Sequence, residues 1–349
     1  MDISGELVDD YILIRKPSDV GRLYNKSHIG TPLPSNQLRL NLLEGVFLLD
    51  EGKMILHHQK KQVSFPTLLK QAVQRIPDFE TKYLVYRDLR SRGHAILQVD
   101  DIPHISFRKF TQKNEESPCI IAAFSERDIL DIRQIQQIIQ QSTKKHTALW
   151  FALVDEEGDL TYYDVSPIKL SGEIPEHKYP KGTAVLLKNR LIVFDKKLAG
   201  LLLQKEFYGK PFGETLQLSF VEALYLHERN ILEIQTTEGK ILTGEQSNHL
   251  MQKHQPDILQ RLQVFTDLKK RGLLVKTGFK FGAHFRAYSK QPETTHAEFL
   301  IHVIEKDFTS VWAETSRAVR LAHSVNKEFI FACITGTTVD YIRLGRLRP

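Results

Sequence analysis

Three side chains that can take part in proton transfer fall in one stretch, FGAHFRAYSKQPETTHAEFL, from Phe281 to Leu300. They are His284, Tyr288 and His296. Histidine changes its charge near neutral pH, and a positioned phenol can donate or accept a proton. Apolar and polar residues alternate through the stretch, which predicts a half-buried strand, a turn at Pro292 and a second strand. The stretch is therefore either a polar surface or part of an active site.

The composition is that of a globular protein. The chain has 349 residues, of which 41% are hydrophobic, so two or more domains are expected. The net charge of +6 is compatible with a polyanionic partner. Cys119 and Cys333 each lie in an apolar run, which disfavours a disulfide framework or a zinc site. Because we find no signal peptide and no apolar run of roughly 18 residues, we expect a soluble, cytoplasmic protein without membrane contact.

The chain contains an internal duplication. YRDLRSRGHAIL, which begins at Tyr86, matches FTDLKKRGLLVK, which begins at Phe265, 179 residues later. Two further pairs of similar blocks flank this pair in the same order, and they begin at Gly21 and Gly200 and at Thr147 and Glu328. Ordered matches of this kind indicate a tandem repeat. Repeat 1 spans about 1–170 and repeat 2 spans 178–349.

The predicted elements give a mixed α/β (α+β) fold in two pseudo-equivalent halves. QLRLNLLEG and QLSFVEALYL are predicted to start helices, and a following helix ends in each repeat at an Arg-Gly pair, where glycine can adopt the left-handed conformation. A long helix is predicted from about Thr309 to Val325, with a Thr/Ser cap. FIFACI, from Phe329 to Ile334, has the length and composition of a buried central strand.

The two repeats differ where chemistry is possible. Aligning SFRKFTQKNEESPCIIAAF with HFRAYSKQPETTHAEFLIHVI places Phe110 opposite Tyr288 and Pro118 opposite His296. Phenylalanine keeps the ring of tyrosine and loses its hydroxyl group, and proline has no group that titrates. Repeat 1 therefore keeps the framework of the candidate site without its polar side chains.

Lys327, which falls near Thr147 of repeat 1, supplies a third candidate group. It follows a helix on which Arg317, Arg320 and Ser324 share one face, although such charges commonly form only a solvated surface. No metal-ligand motif, GxSxG motif or phosphate-binding loop occurs. A tyrosine, a histidine and a lysine can cleave RNA without metal: one group takes the proton of the 2′-hydroxyl, another protonates the departing 5′ oxygen, and a cation stabilises the transition state.

The block KTGFKFGAHFRAYSKQPETTHAEFLIHV, followed by RAVRLAHSVNKEFIFACI, resembles the catalytic domain of the archaeal tRNA-splicing endonucleases. The repeat covers nearly the whole chain, as in the homodimeric type with one degenerate and one catalytic copy. The resemblance implies Tyr288 as general base, His296 as general acid and Lys327 as transition-state stabiliser. It also implies precursor tRNA as the substrate, cleaved without a metal or other cofactor at bulge–helix–bulge junctions, with 2′,3′-cyclic phosphate and 5′-hydroxyl ends as products.

The resemblance extends to recognition and assembly. The family holds a flipped base between two arginines, of which Arg320 matches the first, while Arg346, and after it Arg343, are candidates for the second. An acidic loop of the non-catalytic copy enters a basic groove of the partner in this family. The matching residues of the DEEGD segment are Asp155, Glu156, Glu157 and Asp159.

The implied division of the chain is into four domains. Small N-terminal αβ domains would cover 1–64 and 178–242, a degenerate nuclease-like domain 65–170, and the catalytic nuclease domain 243–349. Two other interpretations stay open. An RNA-binding module without catalysis predicts that Tyr288→Phe leaves function intact, and a metal-dependent nuclease predicts loss of activity in EDTA. Neither explains why repeat 2 alone contains the tyrosine, the histidine and the lysine.

Overall fold

The computed structural model describes residues 2–99, 103–109, 119–292 and 296–349. Phe110 and Pro118, the repeat-1 positions aligned with Tyr288 and His296, lie outside these residues. The register of the neighbouring strands nevertheless matches in the two repeats, since Phe107 pairs with Ile121 and Phe285 pairs with Ile301.

Repeat 1 begins with a six-stranded sheet and its helices. The elements are β1 (Ile3–Val8), β2 (Tyr11–Ile14), α1 (Pro17–Val20), β3 (Thr31–Leu33), β4 (Gln37–Asn41), α2 (Leu42–Asp50), β5 (Met54–His58), β6 (Lys61–Val63) and α3 (Phe65–Arg75). The strand order is β3-β4-β2-β1-β5-β6. The predicted helix start at QLRLNLLEG is wrong in its first half: Leu38 and Leu40 alternate into the core as part of β4, and Asn41 caps α2.

The rest of repeat 1 contains α4 (Phe79–Ser91), β7 (Ile96–Gln98), β8 (Phe107–Lys109), β9 (Cys119–Ser125), β10 (Ile129–Asp131), α5 (Ile132–Lys144), β11 (Ala148–Val154) and β12 (Leu160–Pro167). Repeat 2 begins with β13 (Gly182–Leu186), β14 (Leu191–Val193), α6 (Lys196–Glu206), β15 (Lys210–Phe212), β16 (Thr215–Leu218), α7 (Phe220–Glu228) and β17 (Leu232–Gln235). Its five strands are ordered β15-β16-β14-β13-β17. QLSFVEALYL likewise divides between β16 and α7, because Ser219 caps the helix.

Repeat 2 continues with α8 (Gly244–His254), α9 (Ile258–Lys270), β18 (Leu274–Thr277), β19 (Phe285–Tyr288), β20 (Phe299–Glu305), β21 (Thr309–Val311), α10 (Trp312–Ser324), β22 (Glu328–Thr335) and β23 (Thr338–Leu347). The predicted turn and two strands around Pro292 correspond to β19 and β20, and FIFACI lies within the buried strand β22, as predicted. The helices α4 and α9 are each followed by a left-handed glycine, Gly93 (φ 88°) and Gly272 (φ 76°), which confirms the predicted helix ends.

One ten-stranded sheet joins the two repeats. Its order is β18-β19-β20-β22-β23-β12-β11-β9-β8-β7, so that β23 of repeat 2 pairs with β12 of repeat 1 at the centre. The pairing is antiparallel, which relates the two halves by an approximate two-fold axis. Helices α5 and α10 cover one side of this sheet, while α4 and α9 cover the other.

The start of α10 differs from the prediction. The expected Thr/Ser cap at Thr309 is wrong, since Thr309–Val311 is strand β21, which pairs with β10 of repeat 1. The helix begins at Trp312 without a side-chain cap. Its first amides donate instead to repeat-1 carbonyls: Trp312 N to Asp128 O at 3.2 Å and Ala313 N to Glu126 O at 3.1 Å. The tertiary contact therefore replaces the cap.

Candidate active site

The strand register brings the three candidate catalytic residues to one edge of the sheet. Phe299, at the start of β20, lies opposite Ala287 of β19 and opposite Glu328 of β22. Backbone hydrogen bonds continue this pairing to the ends of the strands, from Glu298 N to Ala287 O (3.1 Å) and from Glu328 N to Glu298 O (2.8 Å). Within three residues of these paired positions lie Tyr288, His296 and Lys327.

Tyr288 and Lys327 also share the side of the sheet covered by α10. Phe285 and Ala287 pack into the core on the α9 side, so Tyr288, which alternates with them, faces the other way. Phe329 packs on the α10 side, and Lys327 lies two residues before it. The site therefore lies beneath α10, where β19 ends and where β20 and β22 begin.

Tyr288 is buried against apolar side chains. It packs with Leu274, its neighbour across the strand pair, and with Ile174 and Ala297. The guanidinium carbon of Arg286, two residues earlier on the same face, lies 5.9 Å from the centre of the tyrosine ring. The ring is therefore held on several sides, with a cation over its face.

Lys327 is half-buried beside an aromatic ring. Its Nζ donates to Val325 O at 3.4 Å and lies 5.6 Å from the centre of the Phe281 ring. Phe281 ends a short 3₁₀ turn, Phe279–Phe281, between two glycines. Gly278 has no space for a side chain, since a Cβ would lie 2.8 Å from Ala283 O, and Gly282 is left-handed (φ 65°). The glycines thus place Phe281 against the candidate catalytic lysine.

His296 is exposed, just before β20. Glu298 connects the end of β19, where Tyr288 lies, with the segment that carries His296, because its carboxylate accepts from Ser289 N at 3.2 Å and from Ser289 Oγ at 2.7 Å. Ser289 follows Tyr288 directly, so this contact fixes the two strand ends relative to each other.

Arg320 and Arg346 converge above the same edge. In the β22–β23 pair Phe329 lies opposite Leu344, and extending that register by two residues places Arg346 opposite Lys327. Arg346 also pairs with Tyr163 of repeat 1, whose hydroxyl group shares a 2.7 Å hydrogen bond with Ser316 of α10. Burial raises the pKa of Tyr163, and the positive charges of Arg320 and Arg346 oppose that rise. Arg346 is the strand neighbour of Tyr163, and Arg320 follows Ser316 by one turn of α10, so both exposed arginines lie on the side of the sheet that the Tyr163 phenol faces.

Arg343 lies elsewhere. It alternates with Arg346 onto the α9 side of the sheet, together with Tyr341. There it forms an ion pair with Asp164 of repeat 1 and a second with Glu328 at 3.8 Å. The structure does not bring Arg343 together with Arg320, and of the two candidates for the second base-holding arginine the geometry favours Arg346.

A basic cleft lies next to the site. It has a volume of about 610 Å³ and runs between the five-stranded sheet of repeat 2 and strands β18 and β19. Six cationic side chains line it: Arg190, Lys210, Arg261, Lys276, Lys280 and Arg286. The sequence implied a basic groove without assigning residues to it, because the six cations come from four separate segments, Arg190, Lys210, Arg261 and the stretch from Lys276 to Arg286, which meet only in the fold.

The acidic DEEGD segment forms the turn of the β11–β12 hairpin, and its four carboxylates are exposed. Asp155 stabilises the turn by accepting from Glu157 N (3.0 Å) and Asp159 N (2.9 Å). Glu156 forms an ion pair with Arg127 at 2.7 Å. Within the described part of the chain, the carboxylates of Glu157 and Asp159 have no such partner. Glu157 and Asp159 therefore supply the exposed carboxylates of the hairpin that remain available to another molecule.

In the residues that the structure describes, no group of three or more His, Cys, Asp or Glu is arranged to hold a metal ion. Nor is any helix in these residues long and apolar enough to cross a membrane.

The fold and the site define an enzyme built from a duplicated two-domain unit, with the candidate acid–base groups in the second copy. Comparison with family models identifies the units. The N-terminal domain of the tRNA intron endonucleases matches residues 3–69 and 182–247, and their catalytic C-terminal domain matches 79–162 and 258–341. The chain belongs to the tRNA intron endonuclease family, so it is an enzyme of tRNA intron cleavage. Both matches occur twice, which confirms the predicted duplication.

Curated relatives agree over nearly the full length. The tRNA-splicing endonuclease of Methanococcoides burtonii is 36% identical, with 98% of this chain and 99% of that protein aligned. The tRNA-splicing endonuclease of Methanosarcina mazei is 33% identical over 98% of each chain. That of Halobacterium salinarum is 29% identical over 94% of this chain and 95% of its own length. The similarity to these archaeal proteins therefore includes both repeats.

Proposed function

We propose that the enzyme excises introns from precursor tRNA by metal-independent cleavage at bulge–helix–bulge junctions. The 2′-hydroxyl attacks the adjacent phosphate, leaving a 2′,3′-cyclic phosphate and a 5′-hydroxyl end. The observation that carries this proposal is the common position of Tyr288, His296 and Lys327 at one edge of the sheet, beneath α10. Substrate recognition by RNA shape fits a site formed by strand ends and an exposed helix face.

The three residues divide the reaction between them. Tyr288 takes the proton of the 2′-hydroxyl as general base, and His296, which is exposed, protonates the departing 5′ oxygen. Lys327 stabilises the negative charge that develops on the phosphorus oxygens. Its packing against Phe281 and its bond to Val325 O restrict the movement of the ammonium group, so less reorganisation accompanies the reaction.

Arg320 and Arg346 hold a base that leaves the RNA helix. Two guanidinium groups on either side of a base stack on its faces without selecting a particular base. This role is supported by their shared exposure and by their common proximity to Tyr163. The clamp would then combine one arginine from α10 with one from the strand that joins the two repeats.

The active form is a homodimer, acting in the cytoplasm. The acidic DEEGD loop of repeat 1 enters the basic cleft of repeat 2 in a second copy, and the exchange is reciprocal, as a two-fold dimer requires. Charge supports this pairing, because a cleft of about 470 Å³ beside α4 in repeat 1 is lined by one lysine, Lys82, together with Asp78 and Asp128, and so lacks the excess of cations that the cleft of repeat 2 offers. Two active sites at a fixed separation suit two cuts in one substrate.

Cleavage of a bulge–helix–bulge RNA in EDTA tests the reaction. We expect cutting at both junctions, cyclic phosphate at the new 3′ ends, and no cutting where a single 2′-deoxynucleotide replaces the junction nucleotide. A requirement for magnesium, or cleavage of the 2′-deoxy substrate, would contradict the mechanism. Sedimentation velocity at increasing salt tests the assembly, since the dimer should dissociate as the charges are screened.

A further inference from the structure

Arg286 connects the basic cleft with the candidate active site. It lies on β19, where its side chain lines the cleft. The same guanidinium lies 5.9 Å from the centre of the Tyr288 ring. One side chain therefore contacts both the surface proposed to receive the second copy and the residue proposed to act as general base.

The Nε of Arg286 also lacks a hydrogen-bond acceptor. This atom is buried, and no acceptor for it lies among the described residues. Two other cations of the cleft are satisfied, since Arg261 pairs with Asp257 at 2.6 Å and Lys276 pairs with Glu222 at 3.0 Å. A buried guanidinium N–H without an acceptor is costly, and the chain itself therefore does not fix the guanidinium plane through Nε. Because that Nε is covered by the chain, a carboxylate from outside would bind the two terminal nitrogens of the group and fix its plane there.

The acidic loop offers suitable acceptors. The carboxylate of Asp155 is used by its own turn and that of Glu156 by Arg127. The side chains of Glu157 and Asp159 are exposed, and their carboxylates have no hydrogen-bond or ion-pair partner in the described residues. A carboxylate forms two parallel bonds with a guanidinium group, which fixes the plane of that group as well as its position.

We propose that, in the dimer, Glu157 or Asp159 of the second copy accepts hydrogen bonds from Arg286 and thereby holds the guanidinium over the ring of Tyr288. Arg286 is then a positioning residue, and each active site is complete only when the other copy is bound. This inference rests on the proposed dimer and on the proposed role of Tyr288. It adds a physical link between assembly and catalysis, through one named side chain.

The first test separates assembly from positioning. For Arg286→Gln, the dimer dissociation constant is measured by sedimentation velocity, and the single-turnover cleavage rate is measured at concentrations where the variant is fully dimeric. We expect a weaker dimer and a rate about tenfold lower even in the dimer. Arg108→Gln, at the corresponding exposed position of repeat 1, is the matched control and should change neither quantity. A rate that recovers fully in the dimer would overturn the positioning role.

Charge exchange identifies the acceptor. Arg286→Glu should lose both dimer and activity, and adding Glu157→Arg or Asp159→Arg should restore both in one of the two double variants. Glu156→Arg should not restore them, because Glu156 is held by Arg127. Failure of both exchanges would overturn the inference. A wild-type protein that cleaves as a monomer would instead overturn the proposed dimer, and one that does not cleave in EDTA would overturn the proposed reaction, so the failures are distinguishable.

Discussion

Glu44 of repeat 1 and Glu222 of repeat 2 occupy the same place in matching helices. Each is buried, forms a capping box at the start of its helix, and accepts from a glycine N–H at 2.9 Å, Gly30 in one repeat and Gly209 in the other. Their electrostatic environments differ. Burial raises the pKa of Glu44. Glu222 is equally buried, yet the charge of Lys276 and several hydrogen bonds outweigh that effect and lower its pKa.

The difference arises from one strand residue. Lys276 of β18 donates to Glu222 and to the carbonyl oxygens of Phe207 and Gly209, whereas the aligned residue of repeat 1 is Leu97. A second buried pair, Lys269 with Glu206 at 2.6 Å, likewise belongs to repeat 2. Its repeat-1 counterpart is the single bond from Arg90 to Ser27 O.

The two copies share the features that determine the fold and differ in their buried charges. Both keep the capping box and the helix-end glycine, which determine the fold. Repeat 2 adds buried ion pairs that connect helices α6 and α7 to α9 and β18, of which β18 pairs with the strand β19 that carries Tyr288. Since buried pairs constrain geometry more surely than they add stability, we infer that they hold the catalytic copy in one arrangement. Four predictions test this contrast.

The largest effect concerns the residues that repeat 1 lacks. His296→Ala and Lys327→Ala should each lower the single-turnover cleavage rate by about 10²–10⁴-fold, because general acid catalysis and charge stabilisation are lost. Thr147→Ala, at the repeat-1 position near Lys327 in the alignment, should leave the rate unchanged. Quenched time courses with labelled RNA measure all three. An equal loss in Thr147→Ala would contradict the division of labour between the repeats.

Lys276→Leu gives repeat 2 the residue of repeat 1 and should lower the free energy of unfolding by about 3–5 kcal/mol, because Glu222 is left as a buried, uncompensated charge. Urea denaturation followed by circular dichroism measures the change. The double variant Lys276→Leu with Glu222→Gln should recover part of the loss, since the unpaired charge is gone. Stability equal to that of the wild type in the single variant would contradict the argument.

His284 and the nearby His302 of repeat 2 predict that the stability of the protein decreases in acid. Burial and the nearby His302 and Arg261 lower the pKa of His284 from 6.5 to about 3. Between these values the unfolded state binds more protons than the native state, so stability falls as the pH falls below 6.5. His284→Ser should reduce this fall by about 1.4 kcal/mol per pH unit below 6.5.

Serine is chosen for that substitution because Ser106 is the aligned residue of repeat 1. In repeat 1 its Oγ accepts from Ala123 N at 3.3 Å, as His284 Nδ1 accepts from Val303 N at 2.8 Å, so serine can keep the bond. Urea titrations at several pH values between 7 and 4 compare the free energy of unfolding of the wild type with that of His284→Ser. Parallel pH dependences would show that His284 is not the sensitive group.

The smallest effect should be equal in the two repeats. Tyr162 donates to Asp88 and Tyr341 donates to Asp267, each at 2.7 Å. Tyr162→Phe and Tyr341→Phe should each cost about 1–2 kcal/mol, since a bond to a carboxylate is lost while an arginine still pairs with that carboxylate. Denaturation midpoints measure both. A large difference between the two losses of stability would show that the matching tyrosine–aspartate bonds do not contribute equally in the two repeats.

Local signals allowed much of this to be predicted from the sequence. The helix-end glycines, the buried strand FIFACI and the acidic hairpin all depend on neighbouring residues, and the structure places each as expected. The predicted cap of α10 failed because the amides of Trp312 and Ala313 find their acceptors in repeat 1, nearly two hundred residues away in sequence. No local pattern contains that information.

By itself, the sequence determined that the chain is a duplication and that only its second copy contains a tyrosine, a histidine and a lysine in a family-like block, because these are comparisons between residue types along one chain. The tertiary structure alone decided which side chains meet. Alternation along β23 sends Arg346 towards Arg320 and Arg343 towards Asp164, and the basic cleft brings together cations from four separate segments of the chain. Such contacts depend on strand register and domain packing, which are set by the fold as a whole.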